Sequence, residues 1–197
     1  ERGAFHLVLA GGNTPQLLYL RLRQLVSDWS RWHLWFGDER CLPAGNPERN
    51  DSMAREAWLN HVPVLPASVH AIPAELGAVA GASAYSMELG AQGDFDLVLL
   101  GLGEDGHTAS LFPGDELGNI AGAPDAMPVH GAPKPPPERV TLSANRLARS
   151  HHVWFIVTGE TKRTALRNWR NGAPLPAASI TPETAVEVYT DCCEEQP

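Results

Sequence analysis

This 197-residue chain has few cysteines, little positive charge and no long apolar runs. No stretch approaches the roughly 20 apolar residues that a membrane span needs, and the opening residues read as starting without a leader peptide, so none is expected. Three cysteines, two of them adjacent (Cys192 and Cys193), cannot build a disulfide framework, so a reducing cytoplasm is the expected setting. Lys and Arg number 15 against 23 Asp and Glu, a formal net charge of −8. That balance argues against nucleic acid or an anionic membrane as partner. An anionic small molecule remains possible if local cations overcome the background field. The phosphate-loop and dinucleotide glycine signatures are missing, as is the Gly-x-Ser-x-Gly elbow of serine hydrolases. No histidine has the spaced Cys, His or carboxylate partners of a zinc site, and His151 and His152 would point to opposite faces of a strand.

Apolar residues make up 43% and charged residues 19%, which is ordinary for a soluble globular domain. No internal repeat or composition shift divides the chain, so it reads as one domain over residues 1–197. The first residue is Glu1 and a strand-like segment begins almost at once, so the expectation is that something precedes it.

Strand-like runs at Phe5 to Ala10, Trp32 to Gly37, Val69 to Ile72, Phe95 to Leu100, Arg139 to Ser143, Val153 to Thr158 and Val186 to Thr190 alternate with helix-like segments. The predicted helices follow Pro15, start at Asn50 or Asp51, cover Glu75 to Gln92, and cover Glu160 to Arg170. Thr14 or Asn13 is the expected cap of the first, with Pro15 at its first position. Gly114 to Pro137 reads as a long surface loop. The alternation predicts an α/β, Rossmann-like three-layer sandwich whose mostly parallel sheet is covered by helices on both faces.

The chemistry concentrates in Gly101-Leu-Gly-Glu-Asp-Gly-His-Thr-Ala-Ser-Leu-Phe-Pro113, directly after the Phe95 to Leu100 strand. Glycines let the backbone turn tightly, so Asp105 and His107 emerge at the strand's carboxyl end, where open α/β sheets bind ligands. Histidine ordinarily titrates at roughly 6.5, which suits proton transfer. Ser110 reads as a helix-turn residue. Gly11-Gly12-Asn13-Thr14 joins a strand to a helix, and N–H groups at a helix start favour a phosphate. Arg40, just past the second strand, can grip a phosphate or polarise a carbonyl, or simply pair with Asp38 or Glu39. Arg139 and Lys162 are further cations; a lysine in a helix's first turn opposes the dipole unless an anion lies near. Cys41 follows Arg40, but no base neighbours it, so a passenger role is the expectation.

Together these segments, with Trp35-Phe-Gly-Asp-Glu-Arg40, Asn50 before its helix and Arg139-Val-Thr-Leu142, resemble the 6-phosphogluconolactonase family over nearly the whole chain. The resemblance implies hydrolysis of 6-phospho-D-glucono-1,5-lactone in the oxidative pentose phosphate pathway, with no metal and no organic cofactor. It implies His107 as general base with Asp105 supporting it and Arg40 assisting. Gly11, Gly12, Asn13, Thr14, Arg139 and Lys162 would hold the phosphate. The partner is then a small sugar-phosphate lactone rather than a macromolecule, and a monomer is the expectation. Two departures stand out: Asn13 replaces a usual serine, and the family's leading helix and strand are absent. Glucosamine-6-phosphate deaminases and isomerases share the fold, but their Gly-His loop reads Asp-Gly-His-Ile-Ala-Phe-Asn-Glu-Pro. A non-catalytic sugar-phosphate sensor is the third reading, although such sensors ordinarily carry a helix-turn-helix, and none is legible here.

Overall fold

A computed structural model describes residues 3–192. Among them the chain runs β1 (Phe5–Leu9), α1 (Asn13–Leu22), β2 (Trp32–Phe36), β3 (Asp38–Arg40), α2 (Asn50–Ala57) and β4 (Val69–His70). It continues through α3 (Ala78–Leu89), β5 (Phe95–Leu100), β6 (Ala126–Val129), β7 (Arg139–Leu142), α4 (Ala144–Ala148), β8 (Ser150–Val157), α5 (Arg163–Arg170) and β9 (Val186–Thr190). Cys193 lies outside the described residues. No helix among the described residues is long and apolar enough to cross a membrane.

Six strands form a sheet in the order β4-β2-β1-β5-β8-β9, with every pairing parallel. Such a sheet needs both faces covered, and it has them. On one face, Trp32 of β2 packs edge-on against Trp58 at 5.8 Å, and Trp58 stacks on Tyr19 of α1. On the other, Trp35 meets Tyr85 of α3, and Phe155 of β8 meets Trp169 of α5 at 4.7 Å. Leu7, Leu9, Leu34, Phe36, Val98, Val153 and Phe155 are all buried between these layers; each such side chain contributes about 1.5–3 kcal/mol.

Strand order reverses between β1 and β5: the chain builds outward from β1 through β2 to β4, then returns to β5 and continues to β8 and β9. That switch point opens a crevice at the carboxyl ends of the two central strands. The glycine turn after β1 and the Asp-Gly-His loop after β5 both emerge there.

Several expectations are corrected. Arg139 to Ser143 is a strand, but it belongs to a second, antiparallel sheet in the order β3-β7-β6. Asp38–Arg40, just past β2, is a separate strand of that sheet and pairs with β7. Gly114 to Pro137 is not wholly irregular, since Ala126–Val129 is paired within it. The helix expected from Glu75 splits into a 3-10 turn, Ala74–Leu76, and α3. Helix α1 is capped by Gly12 at φ +104, with no side-chain cap from Asn13 or Thr14, and Pro15 stands two places after the first helical residue. Ser110 is in a non-helical turn bridged between Thr108 and Leu111.

Candidate active site

The crevice is a cavity of about 580 Å³, within the range of roughly 300–1,000 Å³ typical of small-molecule sites. Gly11, Gly12, Asn13, Thr14, Arg40, His107, Arg139 and Lys162 all line it. Asp105 does not; it stands behind His107. The lining also includes Asp38, Asn50, Lys134 and Thr158, which sequence reasoning did not assign to the site.

The Asp-Gly-His loop is tied by its own backbone. Gly103 N–H donates to the His107 carbonyl at 2.7 Å, and Thr108 Oγ1 donates to the Gly101 carbonyl at 2.9 Å. The His107 amide donates to Asp105 Oδ1 at 3.1 Å, and His107 Nδ1 lies 2.5 Å from the same oxygen. A carboxylate only accepts, so Nδ1 carries the proton and the neutral ring keeps Nε2 as its lone-pair nitrogen. Nε2 has no protein partner among the described residues. Burial works against ionisation of Asp105, but the bonds from the His107 amide and ring outweigh it and hold the carboxyl below its usual range. The ring also leans on Phe112, centroids 4.8 Å apart.

At the β1 end, Ala10 N–H donates to the Tyr19 hydroxyl at 3.0 Å, and that hydroxyl donates back to the Ala10 carbonyl at 2.8 Å. This clamp fixes where the glycine turn leaves the sheet. A Cβ on Gly11 would lie 2.0 Å from Asn50 Oδ1, so only glycine lets the turn pass. Thr14 and Thr158 join their hydroxyls at 2.6 Å, linking the start of α1 to the end of β8. Lys162 closes a 3-10 turn, Glu160–Lys162, rather than sitting in the first turn of α5. Its ammonium has no protein partner among the described residues.

Asn50 does not cap its helix. It donates to the Asp38 carbonyl at 2.9 Å and to Asp38 Oδ1 at 3.1 Å. Glu39, fully buried, caps α2 instead, accepting the Asn50 and Asp51 amides at 2.8 and 2.9 Å. Burial pushes its carboxyl up to about 7, against the pull of those amides and that of Arg40. Arg40 pairs with neither neighbouring carboxylate; its Nη1 donates to the Glu48 carbonyl, and its Nε is buried without a partner. Arg40 and Arg139 are directly opposed across the β3–β7 pair. Like charges so placed are unfavourable unless an anion joins them. Burial, with Arg40 adding to it, lowers the pKa of Arg139 against the pull of Asp38 and Glu39. Cys41 is the opposite of an activated thiol, since burial and Glu138 push it up.

These features define a doubly wound α/β protein with a polar small-molecule crevice at its topological switch point. Residues 1–189 match the model for glucosamine-6-phosphate isomerases/6-phosphogluconolactonase, and the chain belongs to that family. It is 40% identical over 192 residues to a 6-phosphogluconolactonase of Streptomyces coelicolor, covering 88% of this chain and 73% of the relative. The crystal structure of a 6-phosphogluconolactonase from Thermotoga maritima superposes with a TM-score of 0.89 at 30% identity, over 96% of this chain and 86% of that one. A monomeric glucosamine-6-phosphate deaminase superposes at 0.83 with 20% identity, over 96% and 86%, a likeness of fold alone.

Proposed function

We propose that this protein hydrolyses 6-phospho-D-glucono-1,5-lactone to 6-phospho-D-gluconate, as an enzyme of the oxidative pentose phosphate pathway acting in the cytoplasm. The observation that carries the reading is His107: its Nδ1 is bound to Asp105 while Nε2 is left free on a cavity that also holds a helix start and a lysine. Family membership and the named relatives support the substrate. His107 Nε2 takes a proton from water as the water oxygen bonds to the lactone carbonyl carbon. When the carbon–ring-oxygen bond breaks, His107 passes that proton to the ring oxygen. The new acid loses its own proton to solvent and becomes a carboxylate. Asp105 holds the ring in the required tautomer. Arg40 stabilises the oxyanion or grips the phosphate. Gly11, Gly12, Asn13, Thr14 and Lys162 hold the substrate's phosphate, so binding far from the reacting carbon positions it.

The test couples fresh lactone to 6-phosphogluconate dehydrogenase, with the protein and with His107→Ala. Acceleration over spontaneous hydrolysis that falls by about 10²–10⁴-fold in the variant supports the reading. Turnover of an amino-sugar phosphate instead, or near-normal rates in the variant, would sink it.

A further inference from the structure

The sequence contains two lysines, Lys134 and Lys162, and both line the one cavity that holds His107. They reach it from different elements. Lys162 follows β8 beside Thr158, whose hydroxyl meets Thr14 at the start of α1; this is the end suited to phosphate. Lys134 comes from the turn of the β6–β7 hairpin, which is tied to the histidine loop through Arg139 and Phe112.

The connection runs through Arg139. Its Nη2 donates to the Lys134 carbonyl at 2.7 Å, its Nε to the Pro136 carbonyl at 3.1 Å and its Nη1 to Ser110 Oγ at 3.4 Å. Its guanidinium also lies over Phe112, 5.7 Å from the ring centroid, and Phe112 packs on His107. Arg139 is 6% exposed, and three of its N–H groups are thus committed to the protein. The turn it braces is stiff: Pro133, Pro135, Pro136 and Pro137 surround Lys134, and each fixes its own φ. Ala132 N–H donates to the Pro137 carbonyl at 2.9 Å, and His130 Nδ1 meets Glu138 Oε2 at 2.6 Å across the base. The Lys134 ammonium has no partner among the described residues. A charged tip on a rigid, braced turn is pre-organised for a ligand rather than for the fold.

We propose that Lys134 contacts the negative charge that develops at the lactone carbonyl and persists as the product carboxylate, and that Arg139 is its positioning residue rather than a direct phosphate ligand. The inference rests on the lactonase reading for its substrate, but it predicts something separate. The cavity has one cationic end for phosphate and another for a carboxylate, so it selects phosphorylated sugar acids over phosphorylated sugars.

Calorimetric titration with 6-phosphogluconate and with glucose 6-phosphate separates the two ends, because both ligands carry the phosphate and only the first carries a carboxylate. Lys134→Met is expected to weaken 6-phosphogluconate by about tenfold or more while leaving glucose 6-phosphate within about threefold; Lys162→Met weakens both. On the lactone, Lys134→Met lowers kcat by about 10–100-fold with KM nearly unmoved, and Lys134→Arg recovers most of that loss. Arg139→Gln repeats the Lys134→Met pattern and adds little to it in the double variant, as expected if one residue acts through the other. Equal weakening of both ligands by Lys134→Met, or weakening of neither, overturns the assignment. Full additivity with Arg139→Gln overturns the positioning role. A parent protein that binds the sugar acid selectively but does not hydrolyse the lactone leaves Lys134 assigned and refutes the lactonase reading instead.

Discussion

A Cβ built on Gly103 lies 2.0 Å from Nδ1 of His107 and 2.5 Å from Oδ1 of Asp105. The imidazole therefore occupies the space where any other residue's side chain would begin. Gly103→Ala is expected to move the ring off Asp105 and lower kcat by about 10²-fold, the usual result of an ångström-scale misplacement. Steady-state kinetics beside a far-ultraviolet spectrum test this; a fully active, folded variant would show that the pair's geometry is unimportant.

Asp105→Asn probes the tautomer. An amide can donate to Nδ1 and so drive the proton onto Nε2, leaving no lone pair facing the cavity. A fall in kcat of about 10²-fold or more, with KM within about threefold, is expected. A change confined to KM would instead place Asp105 in binding.

Gly11→Ala forces Asn50 aside and breaks its bonds to Asp38. Asp38 Oδ2 also accepts from Ser110 Oγ at 2.6 Å, so the disturbance reaches the cavity wall near Arg139. We expect KM to rise by about tenfold with a smaller change in kcat, since binding rather than proton transfer is affected. An unchanged KM would detach the glycine turn from substrate.

Arg49 is a stability prediction. It is buried and bonds Asp51 at 2.9 Å, Glu75 at 2.8 Å and the Ile72 carbonyl at 2.9 Å, with Glu39 at 3.7 Å. Arg49→Met removes the cation and leaves Glu39 and Asp51 uncompensated, at a cost of about 3–5 kcal/mol in urea unfolding. A loss below about 1 kcal/mol would mean that the carboxylates find other partners or protonate without penalty.

Two groups tilt stability with pH in opposite directions. Burial, then the charge of His70, lowers the pKa of His33. The unfolded chain then takes up that proton first, so the contribution of His33 is present above about 6.5 and lost as pH falls. The neighbouring groups are His70 at 3.1 Å, His6 stacked at 4.6 Å, and Glu88 on the far side of His70. Glu39 is raised, so its contribution is complete below the ordinary carboxylate range and is lost as pH rises through about 7. His33→Gln should make the protein gain stability on acidification from pH 7 to 5, and Glu39→Gln should make it lose more. Parallel curves for parent and both variants would refute the assignment.

The central strands of the parallel sheet were readable because their runs are mainly apolar, as burial on both faces demands; Phe95–Leu100 and Trp32–Phe36 are the clearest. The Asp105–His107 pair and the Gly11–Gly12 turn were readable for a related reason. Strand, glycines and polar residue follow one another in sequence, so local geometry alone delivers them to a strand's carboxyl end.

The second sheet was not readable in this way. β3 is Asp38-Glu39-Arg40, with no apolar periodicity, and it becomes a strand only because β7, a hundred residues later, supplies its hydrogen bonds. That pairing sets Arg40 opposite Arg139 and commits Arg139 to its own turn. Lys134 had a local sign, a single lysine among prolines, but nothing in that run says which cavity it faces. Order along the chain determined the fold class and the Asp105–His107 pair, because short-range sterics and burial act on neighbours. The arrangement of the cations around the cavity was decided by long-range pairing, because a hydrogen bond between distant strands leaves no periodic trace in either segment.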